Sequence, residues 1–176
     1  YQTCYASVPG AIAAPTAGLH FTPEVLEALR KQGTRVFELT LHVGLGTFSA
    51  VEDSDLRKHQ MHSEHFQISE AVLNDLLEMK SEGKPIIAVG TTVVRVLESL
   101  ALENYQRHSG WTDIFIYPPY EFMLVDGMLT NFHLPNSTLM MLVSAFCGRT
   151  NLLRAYQEAV QERYRFFSYG DCMLIL

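Results

Sequence analysis

The sequence has 176 residues, of which 48% are apolar and 18% are charged, a length and composition typical of one folded globular domain and unlike a disordered or fibrous chain. Its 13 basic and 19 acidic residues give a net charge of −6, so a nucleic-acid partner would need a local basic patch. The longest apolar run, residues 138–147, is shorter than the roughly 20 residues of a membrane span, and three scattered cysteines exclude a disulfide framework.

The first elements alternate between helical and extended patterns, which is typical of an α/β fold. Thr22 followed by Pro23 is a helix-start signature, apolar residues then recur at helical spacing, and Gly33 ends the helix. Residues 34–43 alternate apolar and polar side chains, which predicts a half-buried strand with His42 on its polar face.

A second helix and a buried strand follow. Ser69 is a capping residue before an apolar helical stripe that Gly83 ends. Residues 85–89 are continuously apolar, which predicts a strand buried on both faces. This strand turns through Gly90 directly into a third helix, whose apolar positions extend to Ala101.

The remaining elements follow in quick succession. Residues 112–117 predict another strand, and the Asp126–Gly127 dipeptide between two apolar runs predicts a two-residue hairpin. A helix capped by Asn136 or Ser137 and a helix that opens at Asn151 come next. A terminal strand ends the chain.

The turn formed by Gly90, Thr91 and Thr92 is the first candidate for ligand binding. Free backbone N–H groups and two hydroxyls at a strand-to-helix turn suit a carboxylate or phosphate, although an ordinary tight turn with a threonine cap explains the same residues. Arg95 and Glu98 follow three residues apart on one helical face. They form either a surface ion pair or an anion clamp and its orienting partner.

A glycine-rich loop after the first strand is the second candidate. Gly44, Gly46 and Thr47 would let a substrate approach the backbone, and His42 just before them is placed to act as a general base. A merely flexible turn explains the same pattern. His20, in a small-residue loop before the first helix, follows the same logic.

Two further histidine sites have more than one interpretation. His59, His62, Glu64 and His65 form the densest cluster of potential metal ligands, but the cluster lacks the HExxH order and spacing. A solvated polar loop or a polar substrate contact explains it better than a metal does. His133 lies just before a predicted helix, as either a catalytic or a hydrogen-bonded core histidine.

Arginines interleaved with aromatic residues near the C-terminus form a candidate RNA-facing patch. Arginine pairs with phosphate, and aromatic rings stack on unpaired bases, while Glu158 and Glu162 dilute the positive charge. An amphipathic helix packed by its aromatic residues explains the pattern equally well. The arginines of the patch are Arg149, Arg154, Arg163 and Arg165.

The ends of the chain bear on its origin. It starts at Tyr1 rather than at a methionine, no secretory signal opens it, and its last residues form an apolar run. We therefore expect a piece of a larger cytoplasmic protein, folded as a single unit over residues 1–176.

One series of short motifs runs through nearly the whole chain. Its segments are residues 14–21, 41–48, 61–64, 88–92 with Arg95, 97–99, 112–118, 129–135, 142–146 and 164–171. In content and order the series resembles the C-terminal half of the S-adenosylmethionine:tRNA ribosyltransferase-isomerase family of the queuosine pathway. The departures from the family pattern, at Leu45, Val93 and Pro119, remove no ionisable group.

The resemblance implies a fold, a reaction and a set of ligands. The fold would be an α/β domain built on a β-barrel with flanking helices, without the family's small inserted β domain. The reaction would transfer and isomerise the ribosyl moiety of S-adenosylmethionine onto the 7-aminomethyl-7-deazaguanine of tRNA, giving epoxyqueuosine-tRNA, adenine and methionine. No metal or redox cofactor is implied, because the sulfonium already supplies activation. No membrane partner is expected, and the protein would act as a monomer.

The implied reaction calls for a base, an acid toward adenine and a clamp for the methionine carboxylate. The predicted substrate-binding residues are Gly44, Gly46, Thr47, Gly90, Thr91, Thr92, Arg95 and Glu98. Among the candidates for the proton steps we favour His42 as the general base. These candidates are His20, His42, His62, Glu64, His133 and Asp171.

Two hypotheses from other functional classes stand beside this one. The first is a metal-dependent hydrolase that uses the cluster at residues 59–65, and chelator-insensitive activity would eliminate it. The second is a non-catalytic fragment or RNA-interaction module, which release of adenine and methionine by this chain would refute.

Overall fold

The computed structural model describes residues 1–44, 56 and 59–176, and over these residues the chain is a mixed α/β structure. A short 3-10 helix at Thr16–His20 precedes the regular elements. The five described helices are α1 (Pro23–Lys31), α2 (Glu70–Ser81), α3 (Thr91–Leu102), α4 (Thr138–Cys147) and α5 (Arg149–Gln161). The described strands are β1 (Thr40–His42), β2 (Glu64–Gln67), β3 (Ile87–Val89), β4 (Ser109–Thr112), β5 (Gly127–Asn131) and β6 (Cys172–Ile175).

The strands form two three-stranded sheets. The first sheet has the order β1-β2-β4 and is antiparallel, with His42 opposite His65 and Glu64 opposite Thr112. The second sheet has the order β3-β5-β6, in which β3 and β5 are parallel and β6 is antiparallel to β5. Within the described residues these sheets do not close into a barrel.

The predicted helix starts are confirmed by their capping hydrogen bonds. The side-chain hydroxyls of Thr22, Ser69 and Ser137 each accept a hydrogen bond from the amide three residues later, which satisfies one of the unpaired donors of a helix start. The last helix begins at Arg149 rather than Asn151, because α5 follows directly on the residue that ends α4.

The strand predictions are only partly confirmed. Of residues 34–43 only Thr40–His42 pair as a strand, and the strand predicted at 112–117 lies instead at Ser109–Thr112. The segment from Pro85 is not buried on both faces, because Ile87 is 40% exposed while its neighbour Ala88 is buried.

The hairpin predicted at the Asp126–Gly127 dipeptide is wrong. The Asp126 carboxylate accepts a hydrogen bond from the Ile86 amide at 2.9 Å and pairs with Lys80, so this turn directs β5 alongside β3 instead of back along residues 122–125. Those residues cannot form a hairpin strand, because three of their amides donate to the side chain of Glu98.

Helix α3 lies at the centre of the core. Its side chains at Val94, Val96, Leu97 and Leu100 are buried together with Phe66 from β2 and Met128 from β5, so burial of its apolar face joins the two sheets. Among the described residues, no helix combines the length and apolar character needed to cross a bilayer.

Candidate active site

A pocket of about 270 Å³ opens where the second sheet meets α3. The parallel strands β3 and β5 both end at this edge, and ligands of open α/β sheets bind beyond the carboxyl ends of such strands. The 3-10 helix and the segment after α5 complete the wall. The polar lining residues are Thr16, Thr91, Thr92, Thr130, Asn131, His133, Ser137 and Ser168.

The predicted turn at Gly90 forms one side of this pocket, together with Thr91 and Thr92. Gly90 has φ +99°, a conformation that favours glycine, and its amide donates to the Leu129 carbonyl of β5 at 2.8 Å. This hydrogen bond fixes the start of α3 against the sheet. The first amides of α3 have no acceptor within the helix and carry the positive end of its dipole.

Asn131, which the sequence reasoning did not select, organises the opposite side. Its Nδ2 donates to the Phe167 carbonyl at 3.1 Å and lies 3.4 Å from Nε2 of His20. Its Oδ1 is buried and has no hydrogen-bond partner among the described residues. The available signal was its position inside the 129–135 motif, at the last residue of a strand.

His133 is the only ionisable side chain among the described residues that line the pocket. Its Nε2 lies 2.8 Å from the Thr130 hydroxyl, and its backbone is held by the Tyr156 hydroxyl. Burial lowers its pKa from 6.5 to about 4, so the ring is neutral at pH 7. His133 is hydrogen-bonded within the fold and also borders the pocket, and its catalytic role stays a prediction.

His42, the favoured base, does not line the pocket, whereas its neighbour Val43 does. The His42 ring stacks on His65 with centroids 5.8 Å apart and packs against the Gly10 backbone, where an added Cβ would lie 2.6 Å from the ring. Adjacent residues of a strand face opposite ways, and the pocket is on the Val43 side. Our preference for His42 is therefore not supported by its location.

Arg95, the predicted carboxylate clamp, is bound entirely within the protein. Its side chain is 2% exposed, and its Nη1 donates to Glu64 at 2.5 Å. Its other donors reach the carbonyls of Ile114, His62 and Thr112. Burial lowers its pKa, which the negative charge of Glu64 partly offsets. Neither Arg95 nor Glu64 lines the pocket, and each engages the other within the fold. The observed contacts are structural, and substrate binding by Arg95 and proton transfer by Glu64 stay predictions.

Glu98 is likewise engaged within the fold and does not pair with Arg95. Its fully buried carboxylate accepts hydrogen bonds from the amides of Met123, Leu124 and Val125 at 2.8–3.0 Å. The Tyr120 hydroxyl also donates to it, and burial together with the Glu98 charge raises the pKa of that tyrosine. Glu98 thereby anchors the segment before β5 to α3.

The other predicted proton-transfer residues lie around or away from the pocket. His20 touches Asn131 at its edge, and His62 is exposed. Asp171 forms an ion pair with Arg165 at 2.8 Å, and this contact lowers the pKa of the carboxyl group. Of the predicted glycine loop, Gly44 is described, while Gly46 and Thr47 lie outside the described residues.

The proposed metal cluster is not assembled as a ligand set. Within residues 1–44, 56 and 59–176, no three histidine, cysteine or acidic side chains lie close enough to hold one ion. In this cluster Glu64 turns inward to Arg95 while His65 stacks on His42.

The four patch arginines are all exposed along α5 and the segment after it. The aromatic residues between them are divided: Tyr156 and Phe166 pack on Phe132 with centroids 5.0–5.4 Å apart, while Tyr164 and Phe167 are about half exposed. Arg165 is engaged by Asp171, which leaves the positive charge of the other three arginines, Arg149, Arg154 and Arg163, more available to an anionic partner.

Comparisons with known proteins show which family this chain is similar to. A family model described as queuosine biosynthesis protein matches residues 1–175. The S-adenosylmethionine:tRNA ribosyltransferase-isomerase of Natranaerobius thermophilus is 57% identical over 177 residues, which cover 99% of this chain and 52% of that protein. The protein of the same name from Thermotoga maritima is 55% identical, with 100% and 53% covered.

A solved structure agrees with these matches. The crystal structure of an S-adenosylmethionine tRNA ribosyltransferase from Thermotoga maritima superimposes with a TM-score of 0.75 at 48% identity, covering 91% of this chain and 51% of that chain. The chain spans about half the length of the curated relatives it matches.

Proposed function

The chain belongs to the queuosine biosynthesis protein family, and from this premise we propose that it forms one half of an S-adenosylmethionine:tRNA ribosyltransferase-isomerase. In the proposed reaction the ribosyl moiety of S-adenosylmethionine is transferred and isomerised onto the 7-aminomethyl-7-deazaguanine of tRNA, giving epoxyqueuosine-tRNA, adenine and methionine. The observation that carries the proposal is the identity of 55–57% with enzymes of that name along the whole chain.

The pocket's chemistry supports S-adenosylmethionine as the ligand of this half. The start of α3, with the hydroxyls of Thr91 and Thr92, offers donors and a positive dipole end to the methionine carboxylate. A volume of about 270 Å³ is slightly below the roughly 300–1,000 Å³ usual for ligand sites. We therefore propose that the pocket holds part of the reacting assembly and that the rest of a full-length enzyme completes the site.

A neutral proton acceptor on the described pocket wall supports a proposed proton step, in which the carbon beside the sulfonium sulfur loses a proton. A sulfonium cation that enters this wall meets neutral side chains only. Loss of a proton from the carbon beside the sulfur leaves a neutral ylide there and moves the positive charge to the acceptor, so the step needs an acceptor that is unprotonated at pH 7. We propose His133 as the acceptor, either directly or through the Thr130 hydroxyl 2.8 Å away.

Further parts of the proposal concern the partner, the fold and the setting. The four exposed patch arginines are proposed to contact tRNA phosphates, since counterion release favours such contacts even on an acidic protein.

The edge strands β1, β4, β3 and β6 are proposed to pair with strands of the unmatched half and complete a barrel, so that residues 1–176 form one unit of that larger domain. We propose a monomeric cytoplasmic enzyme that uses no metal or redox cofactor.

The test is turnover in a full-length chimera, in which this chain replaces the matching half of the Thermotoga maritima relative. S-adenosylmethionine and precursor tRNA are supplied, and adenine and methionine are quantified by mass spectrometry in the presence and absence of a chelator. We expect both products in equal amounts with the chelator present. A folded chimera that binds both substrates but releases neither product would contradict the proposed function.

A further inference from the structure

Phe167 has an unusual combination of backbone strain and exposure. Its φ is +70°, a left-handed conformation that a bulky residue adopts only when the surrounding structure enforces it. Its side chain is 49% exposed, yet the residue lines the pocket. The Phe167 ring makes an edge contact with the adjacent Phe166, with centroids 6.4 Å apart, whereas Phe166 also packs on Phe132 and Tyr156.

Three hydrogen bonds hold the strained residue in place. Its amide donates to the Phe132 carbonyl at 3.2 Å, and its carbonyl accepts from the Gly170 amide at 3.0 Å and from Nδ2 of Asn131 at 3.1 Å. The turn is also closely packed, because a Cβ at Gly170 would lie 2.4 Å from the Arg165 carbonyl oxygen. The fold therefore maintains an unfavourable backbone conformation at an aromatic residue that borders the pocket.

We propose that Phe167 is the stacking face of a nucleobase subsite and that Asn131 is its positioning residue. This inference rests on the proposed function and specifies which part of the substrates the pocket binds. The ligand chemistry is the planar ring system of a purine-like base, and two sources are compatible with it: the adenine of S-adenosylmethionine and the 7-deazaguanine of tRNA.

A nucleobase fits the surroundings of Phe167 better than a charged group does. An aromatic face attracts another flat π-system, and no carboxylate, lysine or arginine lines the described pocket wall. Both purine-like bases also carry N–H groups along one edge. Such an N–H would satisfy the buried Oδ1 of Asn131, which lacks a partner among the described residues.

The test separates the ring from the backbone strain. Phe167→Gly removes the ring and relieves the left-handed backbone, so thermal stability should stay equal or rise while base affinity falls. Losing one base–aromatic stack predicts roughly a 5- to 150-fold weaker Kd. Phe167→Tyr keeps the ring and should retain the wild-type Kd. Tyr169→Leu is the matched control, because it removes a 76% exposed aromatic residue two positions away that does not line the pocket.

Calorimetry on the full-length chimera uses two probes, S-adenosylmethionine and free 7-aminomethyl-7-deazaguanine, and distinguishes the two sources. A loss confined to the first probe assigns the subsite to adenine, and a loss confined to the second assigns it to the tRNA base. A second readout uses Phe167→Trp in a Trp111→Phe background, where a stacked base should quench the fluorescence of the sole indole.

The remaining outcomes separate this inference from the proposed function. If the chimera with the unchanged sequence binds a probe, the Phe167→Gly chimera binds it equally well and the indole is not quenched, the stacking subsite is refuted and the proposed function stands. If the chimera with the unchanged sequence binds neither probe, the proposed function is refuted together with the subsite.

Discussion

Substitution of Arg95 distinguishes a ligand clamp from a structural clamp. The structure favours the second role, because the guanidinium is 2% exposed and donates to Glu64 and to three backbone carbonyls. We predict that Arg95→Ala lowers the free energy of unfolding, while any S-adenosylmethionine affinity is retained at temperatures where the variant is folded.

The magnitude follows from the burial of both partners. Removing one member of a buried, hydrogen-bonded ion pair costs about 3–5 kcal/mol. For a chain of this size each kcal/mol lowers Tm by about 2–4 °C, so the expected decrease in Tm is roughly 6–20 °C. Arg95→Lys keeps the charge but loses the planar fork, and we expect an intermediate decrease.

The assay pairs thermal denaturation, followed by circular dichroism, with calorimetric titration of S-adenosylmethionine. Arg35→Ala is the matched control, since Arg35 also pairs with a carboxylate at 2.5 Å but is 44% exposed, and exposed pairs contribute at most about 1 kcal/mol. Equal, small decreases in Tm for both variants would refute the structural role. A stable Arg95→Ala chain that no longer binds S-adenosylmethionine would instead support the prediction that Arg95 binds the ligand carboxylate.

Three further predictions concern Glu98, His133 and the arginine patch. Glu98→Ala should lower the free energy of unfolding in urea by at least about 3 kcal/mol, because three amides lose their acceptor, whereas the exposed Glu158→Ala should change it by about 0.5 kcal/mol or less. Burial lowers the pKa of His133 from 6.5 in the unfolded chain to about 4 in the folded chain, so between these pH values the unfolded chain binds the proton more tightly. The free energy of unfolding should therefore fall by up to about 3 kcal/mol as the pH falls from 6.5 toward 4. His133→Gln should remove this contribution to the pH dependence. Replacing all four patch arginines should flatten the salt dependence of tRNA affinity in the full-length chimera by about three units of log–log slope, and an unchanged slope would make the patch an ordinary helix surface. The patch consists of Arg149, Arg154, Arg163 and Arg165, of which Arg165 should contribute least because Asp171 already binds it.

The helices could be predicted from the sequence because their starts are encoded locally. A hydroxyl at Thr22, Ser69 or Ser137 caps an amide three residues away, and no distant partner is needed. A strand, in contrast, depends on hydrogen bonds to a neighbouring strand that is distant in the sequence, and local sequence patterns do not identify that neighbour. Ile116 is buried as its apolar character suggests, but the ladder lies a few residues earlier, where β4 pairs with β2.

The location of the pocket could be predicted, whereas the roles around it could not. The turn at Gly90 was recognisable as a ligand-binding feature from its position between strand and helix. Arg95 lies four residues after Thr91, on the same side of α3 and about 6 Å further along it. Helical spacing cannot tell whether that side faces a ligand or the core, and in the folded chain it meets β2 and β4.

Charged residues within functional motifs can therefore act by holding the walls of a neutral site. The side chain of Arg95 ties α3 to the first sheet through Glu64, and that of Glu98 ties the same helix to the segment that leads into β5. The amide of Gly90 binds β5 directly. The start of α3 and the end of β5 form two sides of the pocket, so both charged residues stabilise the elements that carry the walls without touching a ligand. Arg95 and Glu98 therefore occur in the motif series because they fix the positions of the elements that form the neutral pocket.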